Sequence, residues 1–384
     1  MPSTPSRFTS GVSTFPPRHV MQTFPVSPTN YQIVKTEDYI PYRSSADYTE
    51  TKVGTAVTGT TAFNWNGGAI LLQSGTTAAN ADYLALGSSG VGFAQFVPGQ
   101  AVWHDVRVAV PAVTSTNGVV TVGLFDNVNP TTSIASGNGV YFIKPAGQSA
   151  FNFAITRTLN GVTTTTTFTN VGDFAKPSGI YNDSNAVPAV LTFNTSGTTY
   201  TSVGVSIAGS GYNVAPLILA TGTGGTGAQL YSVLGGANNY ASFNNSSGSL
   251  YNPYITASGS GYTAGTLTAE ITPYINLQFW WDGRVLHVGV GGRIMFAIKP
   301  DGQTAVNVGG TNVVGVTSGA PVTSFVVPAS ANLPAGQFAV ANQTGSPMNM
   351  LPLIPLFQVL GLTTTTTTNT RMYVDETNIA SEFY

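Results

Sequence analysis

No stretch of this sequence keeps a helical period for more than about two turns. Instead, short apolar runs recur between turn signals: GGAILLQS, DYLALGS, AVWHDVRVAVP, GVVTVGLFD and GVYFIKPAG all fall within residues 53–180. Runs of this length, cut by Gly, Pro and Asn, are the pattern of a β-sandwich or jelly roll. The 44 glycines and 23 prolines, with abundant Thr, Ser, Asn and Val, work against helices in the same way. The expected fold is all-β, a jelly-roll β-sandwich.

At 384 residues the chain is long for one compact domain. Residues 1–52 predict an extended N-terminal arm, because Pro2, Pro5, Pro16, Pro17, Pro25, Pro28 and Pro41 suit polyproline-like backbone. Phe8, Phe15, Phe24, Tyr31, Tyr39 and Tyr42 make that arm too aromatic for a purely solvated tail. Residues 53–180 and 273–384 are expected to be the two parts of the jelly roll. Between them, 181–272 reads as a Gly/Ser/Asn-rich β insertion with a repeat: AGSGYNVAPLILATG at 208–222 is echoed by SGSGYTAGTLTAEI at 258–271. Each copy predicts a tight glycine turn, a tyrosine anchor, then a strand.

Charge is sparse and unevenly placed. Net charge is −2, with 13 Lys and Arg and 15 Asp and Glu. Seven charged residues fall within 35–52, none lies between Asp183 and Glu270, and none between Asp301 and Arg371. Without a basic stripe to release phosphate counterions, nucleic acid is excluded as a partner. Large charge-free β surfaces suit contact with partner subunits, or a coat of hydroxyl and amide groups. The chain has no cysteine, hence no disulfide and no thiolate metal site. The N-terminus lacks the apolar run of a signal peptide, and MNMLPLIPLFQVLGL is broken by Pro352 and Pro355, so no membrane span is expected.

The stretch NLQFWWDGRVLHVGVGG, 276–292, can be read residue by residue. Alternation puts Ile275, Leu277, Phe279 and Trp281 on one face and Asn276, Gln278 and Trp280 on the other. Asp282-Gly283 predicts a two-residue type I′ turn. That turn would set Trp281 opposite Arg284, Phe279 opposite Leu286, and Gln278 opposite His287. Trp281 is then structural. Trp280, Gln278, Asn276 and His287 form a candidate glycan-binding face, since an aromatic ring among amides can stack on a sugar; packing of Trp280 beneath other protein is the alternative.

No catalytic, metal or cofactor site is expected. His19, His104 and His287 lack ligand spacing. Glu37-Asp38 and Asp375-Glu376 are adjacent, so each pair would point to opposite sides of a strand rather than share a face. GTGGTG at 222–227 has no helix after it and no acidic residue about twenty positions on. The expectation is that the chain is not an enzyme.

Four segments together resemble the capsid decoration (cement) proteins of tailed bacteriophages, which have a laminin-G/concanavalin-like jelly roll. They are SRFTSGVS at 6–13, GVYFIKPAGQSAFNF at 139–153, LQFWWDGRVLHVGVGGRIM at 277–295 and RMYVDETNIASEF at 371–383. Gly291-Gly292 replaces that family's Asn-Gly, Glu376 stands where the family has Tyr, and the insertion lies outside the resemblance. The resemblance implies a virion protein, made in the host cytoplasm, that binds the outer capsid surface and bridges subunits. Its partners would be the major capsid protein and copies of itself, as a trimer or else a dimer, with surface glycans as further candidates. Arg7, Phe8, Phe15 and Phe24 would be the capsid-binding anchors of the arm. The alternative is a carbohydrate-binding fibre or receptor-binding protein of the virion.

Overall fold

The computed structural model describes residues 33–38, 48–53, 61–63, 69–74, 81–86, 101–111, 118–125, 139–159, 162–181, 183–221, 225–235, 248–263, 268–281, 286–298, 305–306, 313–314, 321–322, 324–325, 354–361 and 370–381. None of these is helical. The expected all-β jelly-roll architecture is what the structure shows. The chain divides into a larger unit, Met1–Val108, Thr114–Gly172 and Asn276–Tyr384, and a smaller one, Ala109–Val113 with Asp173–Ile275.

Strands are numbered in chain order. One sheet of the larger unit runs β23 (Ser324–Phe325), β20 (Ala305–Val306), β19 (Arg293–Ile298), β18 (Leu286–Val290), β17 (Tyr274–Trp281), β6 (Val102–Ala109), β25 (Arg371–Ser381), β4 (Ala69–Gln73), β3 (Thr61–Phe63), and β1 (Ile33–Asp38) also pairs with β25. The second sheet runs β10 (Val162–Asp173), β9 (Ala150–Leu159), β8 (Gly139–Lys144), β7 (Gly118–Phe125), β24 (Ile354–Gly361), β5 (Ala81–Leu86), β2 (Tyr48–Val53). A further short pair joins β21 (Val313–Val314) to β22 (Pro321–Val322).

Aromatic rings weld the two sheets together. The Phe153 ring centroid lies 5.2 Å from Phe142 and 6.2 Å from Phe168 in its own sheet, and 6.1 Å from Phe279 and 6.0 Å from Phe296 in the other. All five rings are buried. Rings at such spacing add about 0.5–1.5 kcal/mol per pair beyond the area they bury. Because side chains alternate along a strand, fixing Phe279 inward turns Gln278 and Trp280 to the opposite face.

Two segments that the sequence places in the arm are strands of these sheets. Ile33–Asp38 pairs with β25, from Ile33 opposite Ser381 to Asp38 opposite Glu376. Tyr48–Val53 pairs with β5, from Tyr48 opposite Leu86 to Val53 opposite Ala81. Neither contains proline, and both are rich in Ile, Val, Thr and Tyr, which favour strands.

The hairpin of β17 and β18 keeps the expected faces but not the expected partners. Trp281 pairs with Leu286, Trp280 with His287, Phe279 with Val288 and Gln278 with Gly289. Four residues, 282–285, therefore join the strands where Asp282-Gly283 predicts a two-residue turn. A shift of two residues preserves which side chains share a face. The tight two-residue connection is the next one: Val290 pairs with Arg293, and Gly291 and Gly292 have φ of 60° and 79°, as a type I′ turn demands.

The smaller unit is built from β11 (Val190–Ser196) paired with β12 (Thr199–Ile207), and from a four-stranded sheet in the order β15 (Leu250–Ser260), β14 (Thr226–Leu234), β13 (Leu217–Thr221), β16 (Thr268–Thr272). Its two Gly-Ser-Gly-Tyr copies take the same form. Gly209 and Gly211 precede buried Tyr212, Gly259 and Gly261 precede buried Tyr262, and all four glycines have φ between 67° and 83°. The strands that follow pair with each other, Ile218 opposite Ile271. Tyr212 packs with Ala189 and Leu250, and its Oη accepts the Ala189 N–H at 2.9 Å. Tyr262 packs edge-on against Tyr200, 5.6 Å between centroids.

Within the larger unit Gly172 lies so close to the Phe151 ring that a Cβ would overlap it. Gly172→Ala is expected to cost about 1–3 kcal/mol through overpacking, read as a lower urea midpoint with unchanged slope.

Candidate functional site

The outer face of the larger sheet, opposite the phenylalanine core, carries buried polar side chains. His104 and Phe279 lie ring to ring at 5.0 Å, which places both on the core side. Their neighbours Trp103 and Asp105 on β6, and Gln278 and Trp280 on β17, consequently face outward. Trp103, Asp105, Gln278 and Trp280 are all at most 4% exposed. A polar face this thoroughly covered is unlike the solvated face of a simple sandwich.

Trp280 stacks on His287 across the strand pair, with centroids 4.4 Å apart and planes 7° from parallel. One face of the indole is thus occupied by the imidazole. Gln278 is fully buried, and neither amide atom has a hydrogen-bond partner among the described residues. Asn276 is half-buried, and its carbonyl accepts the Gly291 N–H at 2.8 Å. The structure therefore brings Trp280, His287, Gln278 and Asn276 onto neighbouring positions of one face. Arg7, Phe8, Phe15 and Phe24 lie outside the described residues, as do Arg284 and His19.

An ion-pair cluster lies on the same sheet. Arg107 Nε donates to Asp375 Oδ2, its Nη1 lies 3.3 Å from Glu376 Oε2, and Asn378 Nδ2 donates to Glu376 Oε1 at 2.8 Å. Alternation alone keeps Asp375 and Glu376 apart on opposite sides of their strand. One guanidinium on the adjacent strand nonetheless reaches both, because its long stem and forked donors span the strand edge. Alternation also puts Arg107 and Asp105 on one face, but the partners of Arg107 on β25 are some 270 positions away, and nothing local in the sequence points to them.

No protein-family model matches the chain, and no curated protein matches its sequence. Solved structures with similar strand arrangement include an endo-1,3-β-glucanase from Streptomyces sioyaensis, at 9% identity and TM-score 0.39, covering 93% of this chain and 98% of that one. Another is the CBM2 module of the evolved Dit of Lactobacillus casei BL23 phage J-1, at 9% identity and TM-score 0.31, covering 91% and 96%. Peanut lectin is similar at 10% identity and TM-score 0.29, covering 91% and 97%. Likeness at this level is one of strand architecture and assigns no role to any residue.

The expectation that the chain is not an enzyme is corrected by these comparisons, since glucanases are among the similar structures. Its physical basis is also too narrow. It requires carboxylates two positions apart on one strand, whereas a sheet can also bring carboxylates together across adjacent strands.

His104 belongs to the core, not to this face. It is fully buried, neither ring nitrogen has a hydrogen-bond partner among the described residues, and burial lowers its pKa from 6.5 to about 3. As pH falls, the unfolded chain binds this proton first, so the stabilising contribution is complete above about pH 6.5 and is lost towards pH 3. The expected loss is about 1.4 kcal/mol per pH unit across that window. His104→Leu should flatten this part of the stability profile, measured as urea midpoints from pH 7 to pH 4.

Proposed function

We propose that this chain is a structural virion protein that attaches to the outside of a bacteriophage capsid and stabilises it by bridging capsid subunits. The observation that carries the reading is the ladder between β1 and the closing strand β25, six residue pairs long. Whatever residues 1–32 grip is tied through this ladder to the central part of the larger sheet. A load on the arm would pass into β25, and from β25 through Asp375 and Glu376 to Arg107 on β6. The four segments resembling capsid decoration proteins support the same reading, and three of them are strands or strand pairs of the larger unit.

In this reading Arg7, Phe8, Phe15 and Phe24 dock on the major capsid protein, and oligomers, trimers or dimers, combine several weak contacts by avidity. Proline-rich backbone lowers the entropy lost when such an arm is laid down. The chain bears only 28 charged residues, so apolar and hydroxyl surfaces would carry the contacts. The test is add-back to capsids that lack the protein. Saturable density at symmetry-related positions is the expected result, and deletion of residues 1–30 should abolish it while leaving the thermal unfolding transition in place. Equal occupancy by the truncated chain would overturn the arm's role.

A second reading, carbohydrate binding on the outer face of the larger sheet, is favoured by one observation. Gln278 carries a buried amide with no hydrogen-bond partner among the described residues, beside Trp280. A buried unsatisfied amide costs about 1–3 kcal/mol, and in this reading the cover over Gln278 and Trp280 gives way to a ligand hydroxyl that recovers it. Trp280→Ala separates the readings: capsid occupancy unchanged supports the first, and loss of glycan retention with that substitution supports the second.

A further inference from the structure

We propose that the exposed face of β14 and β15 in the smaller unit is a binding site for a neutral polysaccharide, centred on Tyr231 and Tyr254. These two residues are cross-strand partners, and their rings stack with centroids 5.5 Å apart and planes 16° from parallel. Leu230 and Ser232 point inward and are buried, so Gln229, Tyr231 and Val233 face out. Tyr254 is 42% exposed and Val233 40%. The ring pair therefore lies over no core. It stands at the surface of a sheet whose inner side is already filled by Ile218 and Leu230.

The groups around the rings set the ligand's chemistry. Along β15, Tyr254 is followed on the same exposed side by Thr256, Ser258 and Ser260, hydroxyls repeating every second residue, roughly 6.8 Å apart. Beside them, Thr256 Oγ1 lies 3.4 Å from Gln229 Oε1, leaving the Gln229 amide nitrogen to donate elsewhere. Stacking turns one face of each ring to its partner and leaves the other face. An aromatic face edged by an amide and a row of hydroxyls suits a sugar ring, whose C–H face packs on the aromatic while its hydroxyls exchange hydrogen bonds with the rim. An extended row suits a polymer better than a single sugar.

Charge decides between classes of glycan. No Lys, Arg, Asp or Glu occurs between Asp183 and Glu270. On this sheet Glu270 lies on β16, separated from β14 by β13. The stretch offers no cation to a uronate, sulfate or sialate, so the site selects an uncharged chain. The proposal is independent of capsid attachment, which is assigned to the arm and the larger unit.

The test is affinity electrophoresis of the full chain in native gels containing dextran, mannan, galactan or mixed-linkage β-glucan. At least one polysaccharide should retard the wild-type protein. Tyr254→Ala should weaken that retardation by at least about tenfold, while Tyr254→Phe retains it. Tyr254 is exposed, so thermal unfolding of the variant should match wild type and separate lost binding from lost fold. The proposal is overturned if none of the four polysaccharides retards the protein, or if Tyr254→Ala migrates as wild type does. Loss of retardation in Trp280→Ala alone would move binding to the larger sheet. A change in sedimentation coefficient on Tyr254→Ala, without any polysaccharide retardation of the wild type, would make the face a contact between copies and likewise overturn it.

Discussion

The contact on which the larger unit depends is the meeting of Phe153 with Phe279 and Phe296 across the two sheets. Phe142 and Phe168 brace the same ring from its own side. A strand has two faces and no other way to distribute its side chains, so committing Phe279 to the interior commits Gln278 and Trp280 to the far side. The polar face of the larger sheet is thus a consequence of core packing. Its composition is set by what the sequence places between the core residues of β6, β17 and β25.

The smaller unit solves the folding problem with other means. It has almost no charge to pair, and its anchors are tyrosines set in pockets that glycine makes. A Cβ at Gly225 would overlap the Tyr262 ring, and one at Gly248 would overlap the Tyr212 backbone. Positive φ at Gly209, Gly211, Gly259 and Gly261 turns the chain where other residues would be strained. Because Tyr200, Tyr212 and Tyr262 are committed to the interior, the surface pair Tyr231 and Tyr254 stands out as aromatic area that the core does not use. The same reasoning separates structural from available aromatics in the larger unit. There Trp281 is fully buried, and Trp280 is covered on one face by His287.

What is legible in the sequence follows from which signals are local. Period-two alternation is local, so the strands, the all-β class and the two faces of β17 can be read from the residues themselves. Turn type is local too, but several glycine turns compete: Asp282-Gly283 and Gly291-Gly292 both fit a two-residue hairpin, and only the second is one. The difference is a slip of two residues, which changes partners without changing faces. Pairing between remote strands has no local signal. Nothing near Ile33 announces β25, and nothing near Arg107 announces Asp375 and Glu376. For the same reason the proline-rich start reads as one continuous arm, although Ile33–Asp38 is recruited into a sheet by β25, far along the chain, and Tyr48–Val53 by the nearer β5.

These remote pairings bear on mechanism as well as fold. β25 is the last long strand of the chain, yet its neighbours β1, β4 and β6 all come from the first third of the sequence. The larger sheet is therefore incomplete until residues 371–381 have docked, a topology of high contact order. The reward is that the two ends of the chain hold each other. β1 bonds to β25 along its whole length, and Arg107 fixes the same stretch of β25 from the other side through a partly buried ion pair. Removing one member of such a pair leaves a partly buried charge without its partner, so the cluster resists separation more than an exposed salt bridge would. Under the proposed capsid attachment, an N-terminal arm that takes load needs its first strand bound to something that does not yield, and in this fold that element is the closing strand.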